Sequence, residues 1–208
     1  MLRTLVLSAA RVTCLVLLLA PAAAGMKRLS GVKHVEMAID SNCTSGLEPG
    51  ADSGWIECEV DGRHTTIVVG PLEGTFAYEY GQDYTPKIHN LVLDFLQGTR
   101  LESLAPRLYF PGYQAGGNRR LSSLQTRGFL FATEADAAQH RYKAVEGAAE
   151  FKLLGEYDRG RQIVLVAVGD YEVHETELTG GTRTIAKVLP ETILAMISTF
   201  RLEDFHTR

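Results

Sequence analysis

Residues 56 to 69 read IECEVDGRHTTIVV, and this stretch decides the fold of the chain. Apolar residues or threonine recur at every second position on both sides of Asp61-Gly62: Ile56, Cys58 and Val60 before it, and Thr65, Ile67 and Val69 after it. Such alternation is typical of a strand with one buried face. An Asp-Gly pair accepts the positive φ angles of a two-residue turn. The stretch therefore predicts an antiparallel β-hairpin.

Further strand pairs are predicted toward the carboxyl end. Residues 151 to 157 and 163 to 168 flank a polar loop, and residues 171 to 178 and 182 to 188 flank Gly180-Gly181. Apolar runs separated by short turns of this composition are typical of hairpins. Near the other end, Val35, Met37 and Ile39 alternate with more polar residues and predict an additional strand. Phe129 and Phe131 mark one more.

Two segments have the three-to-four-residue period of an amphipathic helix. The first is 86 to 97, where Thr85 is a candidate cap, Pro86 suits the first helical position and Gly98 follows the end. The second is opened by Pro190 and Glu191, and its inward residues are Ile193, Met196, Ile197 and Phe200.

Three segments are less regular. Residues 41 to 54 are rich in Ser, Gly, Pro, Asp and Asn and predict a loop. Residues 99 to 124 predict a long irregular connection, and loops of such length are commonly functional or disordered. In 134 to 148, a capping-box pattern from Thr133 to Asp136 favours a helix, although the residues that follow also fit a strand.

Hairpins combined with a small number of separate helices indicate the α+β class. We expect an antiparallel β-sheet with two or three helices packed against it. Residues 25 to 208 contain no repeat or low-complexity linker, and their length suits a single domain.

Residues 1 to 24 have the order of a secretory signal peptide. Basic Arg3 and Arg11 precede an apolar run from 12 to 20. Pro21-Ala22-Ala23-Ala24 then supplies a cleavage site of small residues. The run is shorter than the roughly 20 apolar residues that span a bilayer. The pattern predicts export, with a secreted or periplasmic mature chain starting at Gly25. The alternative is an uncleaved leader that anchors the protein to a membrane.

Of the three cysteines, Cys14 belongs to the predicted leader, so Cys43 and Cys58 remain in the mature chain. A pair of cysteines in an oxidising compartment commonly forms a disulfide. We expect that bridge, and two free buried thiols are the alternative.

Charge and motifs exclude several classes of function. The formal net charge of −4 argues against nucleic acid, whose phosphates require clustered Lys and Arg, and against an anionic membrane surface. His174-Glu175 starts like a zinc-peptidase motif, but Leu178 occupies the place of the second histidine. The six histidines are dispersed, and His89 is interpreted as a packed or surface residue. We therefore expect no catalytic motif, no metal site and no cofactor.

The long segment from 99 to 124 holds the candidate binding residues. Aromatic rings lie near flexible glycines and two guanidinium groups, and the candidates are Tyr109, Tyr113, Asn118, Arg119 and Arg120. Arginine pairs suit carboxylate or phosphate, and aromatic residues with Arg are enriched in protein interfaces. We expect another protein or an anionic ligand as the partner, and a membrane only through an uncleaved leader. Simple anchoring of the loop by its aromatic rings is the alternative.

The chain ends its second amphipathic helix with Ile197-Ser198-Thr199-Phe200-Arg201. This ending resembles the PsbP-like α/β sandwich family, as does the order of hairpin, early helix, β-meander and closing helix over residues 55 to 203. The resemblance is topological and carries over no ligand residues. It implies a small non-catalytic module used for protein assembly or docking.

These observations predict an exported, non-catalytic binding or assembly module. The alternative is an extracytoplasmic hydrolase whose acidic residues converge only in the folded chain. A cleft that brings together two carboxylates, or a histidine and a carboxylate, would favour the hydrolase.

Overall fold

A computed structural model of the protein describes residues 27–29, 31–50, 52–72, 84–117, 121–156, 160–177 and 183–202. The predicted leader, Asn118, Arg119, Arg120 and the Gly180-Gly181 turn lie outside these ranges. The strands are β1 (Lys27–Arg28), β2 (Val35–Glu36), β3 (Ala38–Ile39), β4 (Cys43–Leu47), β5 (Gly54–Val60), β6 (Arg63–Pro71), β7 (Leu108–Tyr109), β8 (Gln114–Gly117), β9 (Leu121–Phe131), β10 (Val145–Glu156), β11 (Arg161–Gly169), β12 (Glu172–Glu177), β13 (Arg183–Val188) and β14 (Arg201–Leu202). The α-helices are α1 (Thr85–Phe95), α2 (Glu134–Ala138) and α3 (Glu191–Ser198), and short 3-10 helices span Glu102–Arg107 and Tyr142–Ala144.

An antiparallel sheet forms the centre of the molecule. Within the described ranges, its strands follow the order β4-β5-β6-β11-β10-β9-β7, and β8 pairs with β9 on the same edge as β7. Three two-stranded pairs accompany it, namely β1 with β3, β12 with β13, and β14 with β2. The predicted α+β class, an antiparallel sheet with helices packed against it in a single domain, is confirmed.

The hairpin of β5 and β6 forms as the sequence predicts. Cys58 lies opposite Thr65, and Asp61 and Gly62 have φ angles of 52° and 73°. Both turn residues are therefore left-handed, which gives the turn the twist that neighbouring strands require.

Strand β11 separates two hydrophobic cores. Its side chains from Gln162 to Val168 are all buried, and successive side chains of a strand point to opposite faces. Ile163, Leu165 and Ala167 join the core that includes α3, whereas Val164, Val166 and Val168 join the core that includes α1. A strand covered on both faces has a continuous apolar sequence, as this one does.

Helix α1 buries one apolar face, as its amphipathic period predicts. Ile88, Leu91 and Val92 are buried, and Gly98 follows the helix with a φ of 72°. The predicted cap is wrong by one position, because Tyr84 is the N-cap and Thr85 is the first helical residue. Pro86 lies in the first turn, where a missing N–H costs no hydrogen bond.

The prediction of a loop over 41 to 54 is wrong for Cys43–Leu47, which form the edge strand β4. Cys43 lies opposite Cys58 at a Cα–Cα distance of 4.2 Å, and the two residues form the expected disulfide. Pairing with β5 and the disulfide hold this segment in the sheet. Its Thr, Ser and Gly residues lack the alternation of apolar and polar side chains that predicts a strand. Tertiary context therefore overrides local propensity here.

An arginine secures the same edge. Arg100 donates from its backbone N–H and from Nε to Glu48 Oε1, at 3.2 and 3.1 Å, and its guanidinium also pairs with Glu57. The guanidinium carbon lies 3.7 Å from the ring centroid of Trp55. The turn after α1 is thereby fixed to β5 and to the segment that follows β4.

The prediction of a long irregular connection over 99 to 124 is also wrong in large part. The segment contains a 3-10 helix, β7, β8 and the start of β9. Strand β8 is the sequence Gln-Ala-Gly-Gly, which has low strand propensity, and it is ordered by pairing with β9.

Residues 134 to 148 contain both alternatives that the sequence left open. Thr133 Oγ1 accepts a hydrogen bond from the Asp136 N–H at 3.1 Å and begins the short helix α2. Strand β10 then starts at Val145.

Candidate functional site

The edge of β9 is interrupted between β7 and β8. Leu108 and Tyr109 pair with Leu130 and Phe129, and Gln114 then resumes the pairing opposite Gln125. Residues 126 to 128 of β9 therefore have no strand partner on this edge within the described ranges.

Phe110 explains the interruption. Its side chain is buried, and its ring centroid lies 5.9 Å from that of Phe151. The ring crosses the backbone at Gly128, where an added Cβ would lie 2.7 Å from Phe110 Cε1 and 2.5 Å from the carbonyl oxygen of Tyr109. Burial of Phe110 thus draws the chain inward and away from the strand edge.

Two hollows lie on either side of this point, and Pro111 lines both. The first, called here the Tyr109 cleft, measures about 640 Å³ and is lined by residues that include Pro86, His89, Tyr109, Pro111, Glu134 and His140. The second, called here the Tyr113 groove, measures about 470 Å³ and is lined by residues that include Pro111, Tyr113, Gln114, Gln125, Arg127 and Glu150.

The Tyr109 cleft lies between the start of α1 and helix α2. The ring centroids of Tyr109 and His140 lie 3.9 Å apart with planes tilted by 31°. His140 has a φ of 50°, which is uncommon for a residue with a side chain. His89 from α1 and Glu134 from α2 line the same cleft. Two imidazoles and a carboxyl group therefore line the same cleft, together with apolar residues.

A buried carboxyl group lines the Tyr113 groove. Glu150 is 2% exposed, and its Oε1 accepts a hydrogen bond from Gln125 Nε2 at 2.6 Å. Its Oε2 lies 3.8 Å from Arg127 Nε, beyond hydrogen-bond distance. Burial raises the pKa of Glu150, while the hydrogen bond from Gln125 and the charges of Arg127 and Lys152 oppose that rise.

Lys152 links the groove to α3. Its Nζ donates to the carbonyl oxygen of Ile197 at 3.2 Å and lies 5.8 Å from the ring centroid of Phe200. Burial lowers the pKa of Lys152, and the charge of Glu150 opposes that change. Arg127 remains 63% exposed, so its guanidinium is open to solvent above the buried carboxyl group.

The predicted site residues do not share one hollow. Tyr109 lines the cleft, and Tyr113 lines the groove and packs edge-on to Tyr84 at 5.5 Å. The other predicted residues, Asn118, Arg119 and Arg120, lie outside the described ranges. They follow directly after β8, whose first residue, Gln114, lines the groove.

Sequence reasoning missed Gln125, Arg127 and Glu150. Glu150 and Lys152 are charged residues inside the otherwise apolar stretch from 147 to 155, and that departure from an apolar pattern was the available signal. Their convergence with Arg127 arises from the register of β9 against β10, where Arg127 lies opposite Glu150.

Acidic residues in and just before β12 take part in local pairs. Glu172 pairs with Arg63, and Asp170 Oδ2 accepts a hydrogen bond from the backbone N–H of His64 at 2.9 Å. Among the described residues, no group of three or more His, Cys, Asp or Glu side chains is arranged to hold a metal ion. No helix in the described ranges has the length and hydrophobicity that crossing a bilayer requires.

Comparison with known proteins finds a likeness in backbone structure. The solution structure of cyanobacterial PsbP (CyanoP) from Synechocystis sp. PCC 6803 matches with a TM-score of 0.49 and 8% sequence identity, over 88% of this chain and 96% of that chain. No protein-family model and no curated protein sequence match the chain. The likeness is one of structure only and carries no argument about function.

Proposed function

We propose that the chain is an exported, non-catalytic binding or assembly module that takes its partner along residues 108 to 114. The interruption of the β9 edge carries this proposal, because it creates two adjoining hollows with aromatic and charged linings. Concave sites with a few convergent polar groups are the usual places for ligands and partner segments.

The cysteines and the predicted leader support an extracytoplasmic compartment. The Cys43–Cys58 disulfide fits an extracytoplasmic location, since cytosolic thiols are kept reduced. The predicted signal peptide over 1 to 24 supplies the export route.

Charge supports an anionic group on the partner. Exposed Arg127 lines the groove, and the predicted binding residues Arg119 and Arg120 lie a few positions earlier in the chain. A guanidinium binds carboxylate or phosphate through two parallel hydrogen bonds.

Capture of partners from the native compartment tests the proposal. We expect the wild-type chain to retain a defined partner, and the combined substitution Arg119→Ala and Arg120→Ala to weaken retention. Arg141→Ala is the control, because Arg141 is an exposed arginine outside this segment and lies in an ion pair with Asp136. Equal retention by all three proteins would remove Arg119 and Arg120 from the binding surface, and the absence of any retained partner would contradict the binding module.

A hydrolase is the second candidate, and one observation favours it. His89, His140 and Glu134 line the same cleft, and an imidazole beside a carboxylate is a common arrangement for acid–base chemistry. Turnover of ester or peptide substrates that His140→Ala abolishes, without a change in the unfolding midpoint, would favour the hydrolase over the binding module.

A further inference from the structure

We propose that the Tyr113 groove binds the free carboxyl terminus of an extended peptide, which pairs with the open edge of β9 and places its carboxylate on Arg127. This inference rests on the proposed function, because it specifies the chemistry of the partner segment. Three observations support it: an open backbone edge, an exposed guanidinium and a short gap.

The open edge provides backbone hydrogen-bonding groups. Successive residues of an antiparallel strand direct their N–H and C=O groups to alternate edges. Thr126 and Arg127 line the groove, and neither has a described strand partner on this edge, so one of the two presents both groups toward the groove. An extended peptide supplies the complementary C=O and N–H, as in other cases of strand addition.

The charges around the groove favour a carboxylate. Arg127 lies opposite Glu150 in the register, and Lys152 is the next residue on the same face of β10. Lys152 donates to the carbonyl oxygen of Ile197 and does not line the groove, so Arg127 is the cationic residue in the described lining. A guanidinium has five N–H donors, and the contact of Arg127 with Glu150, from Nε at 3.8 Å, is longer than a hydrogen bond. The remaining donors of the exposed guanidinium are available to an incoming carboxylate.

The gap between β7 and β8 has room for only the last few residues of a peptide. A gap of three residues spans about 10 Å of strand, and β7 and β8 occupy the edge on both sides. A long strand from a partner does not fit between them without displacing one of the two. The end of a peptide enters the gap from one side, whereas an internal segment must enter and leave it. The gap therefore favours a carboxyl terminus over an internal segment.

Nuclear magnetic resonance of the isotope-labelled, oxidised mature protein tests this inference. The probes are N-acetyl-tetraalanine with a free carboxylate, the same peptide with a carboxamide end, and a carboxamide peptide with one internal aspartate. We expect the free acid to shift the amide signals of Thr126, Arg127 and Gly128 at millimolar concentration. We expect the plain carboxamide to bind more weakly by on the order of tenfold, because it loses a charge-assisted hydrogen bond.

Variants of Arg127 test whether its guanidinium binds the carboxylate. The Arg127→Ala variant should bind the free acid and the carboxamide equally weakly. The Arg127→Lys variant should keep part of the preference for the free acid, since lysine provides the positive charge but not the two parallel N–H donors of a guanidinium. Arg141→Ala, with a side chain of similar exposure, should behave as the wild type.

Three outcomes would overturn the inference: no shifts at residues 126 to 128, equal binding of acid and carboxamide to the wild type, or equal binding of the internal-aspartate peptide. Each leaves the partner-capture experiment unaffected. A captured partner whose retention depends on Arg119 and Arg120 would then support the binding module without this specificity, whereas the absence of any retained partner would contradict the binding module itself.

Discussion

Gly128 is the residue on which the shape of the candidate site depends. A side chain at this position would collide with the Phe110 ring and with the carbonyl oxygen of Tyr109, at 2.7 and 2.5 Å. The approach of Phe110 therefore requires a residue without a Cβ, and the inward path of Phe110 separates β7 from β8.

We expect Gly128→Ala to lower the free energy of unfolding by about 1–3 kcal/mol, the usual cost of overpacking. Gly112→Ala, in the segment that carries Phe110, is the control, since an added Cβ there meets no atom within 4 Å. Urea denaturation of both variants measures the difference. Equal stability of the two variants would contradict the packing of Phe110 across Gly128.

Glu150 makes the stability of the protein depend on pH. Because burial raises its folded pKa, the favourable contribution of its neutral form is complete below the ordinary glutamate pKa of about 4.3. That contribution is lost as the pH rises through the raised folded pKa.

Glu150→Gln removes this titration. We expect the stability of the variant, measured relative to the wild type, to increase between acidic and neutral pH. Denaturation of both proteins at several pH values gives the difference. A difference that stays constant across this range would show that burial does not dominate the pKa of Glu150.

At the scale of elements, turn chemistry made the central hairpin predictable. Asp61 and Gly62 both take positive φ angles, and few residue pairs do so at low cost. Strand β4 was missed because its Thr, Ser and Gly residues carry no alternating pattern, and its partner strand supplies the order. Strand β8 was missed for the same reason.

The disulfide fixes β4 to its neighbour. Removing both cysteines by Cys43→Ala with Cys58→Ala should lower the free energy of unfolding by roughly 3 kcal/mol, as expected for a bridge that closes an interval of 15 residues. Chemical denaturation of the oxidised wild type and the double variant measures this loss. Hydrogen exchange should accelerate first in β4, and an unchanged exchange rate there would contradict a structural role for the bridge.

At the scale of the whole molecule, the two cores share β10 and β11. Leu165 packs in the core with α3, whereas Leu153 from the neighbouring strand packs in the core with α1. Because one sheet forms a wall of both cores, loss of either core removes support from the other.

We expect Leu165→Ala and Leu153→Ala each to lower the free energy of unfolding by about 2–5 kcal/mol, with one cooperative transition in each case. Circular dichroism reports the sheet, and fluorescence of the only tryptophan, Trp55, reports the β5 edge. Transitions that separate between the two probes in either variant would show that the cores unfold independently.

The sequence predicted the fold class more fully than the candidate site. Alternation and helical periodicity are local, so the strand around Ile67 and the helix around Val92 could be recognised without tertiary information. The pairing of Arg127 with Glu150 depends on the register between β9 and β10, and the cleft depends on where α1 and α2 meet β7. Neither relation can be predicted from a short stretch of sequence.

Strand β4 lies at the end of the described sheet, and Leu47 in it is 52% exposed. If reducing agent released β4, the backbone of β5 would become a template onto which another molecule can add a strand. Purification buffers with thiols would then favour aggregates, whereas storage under air would keep the protein monodisperse. The choice of buffer is therefore part of the design of every binding experiment on this protein.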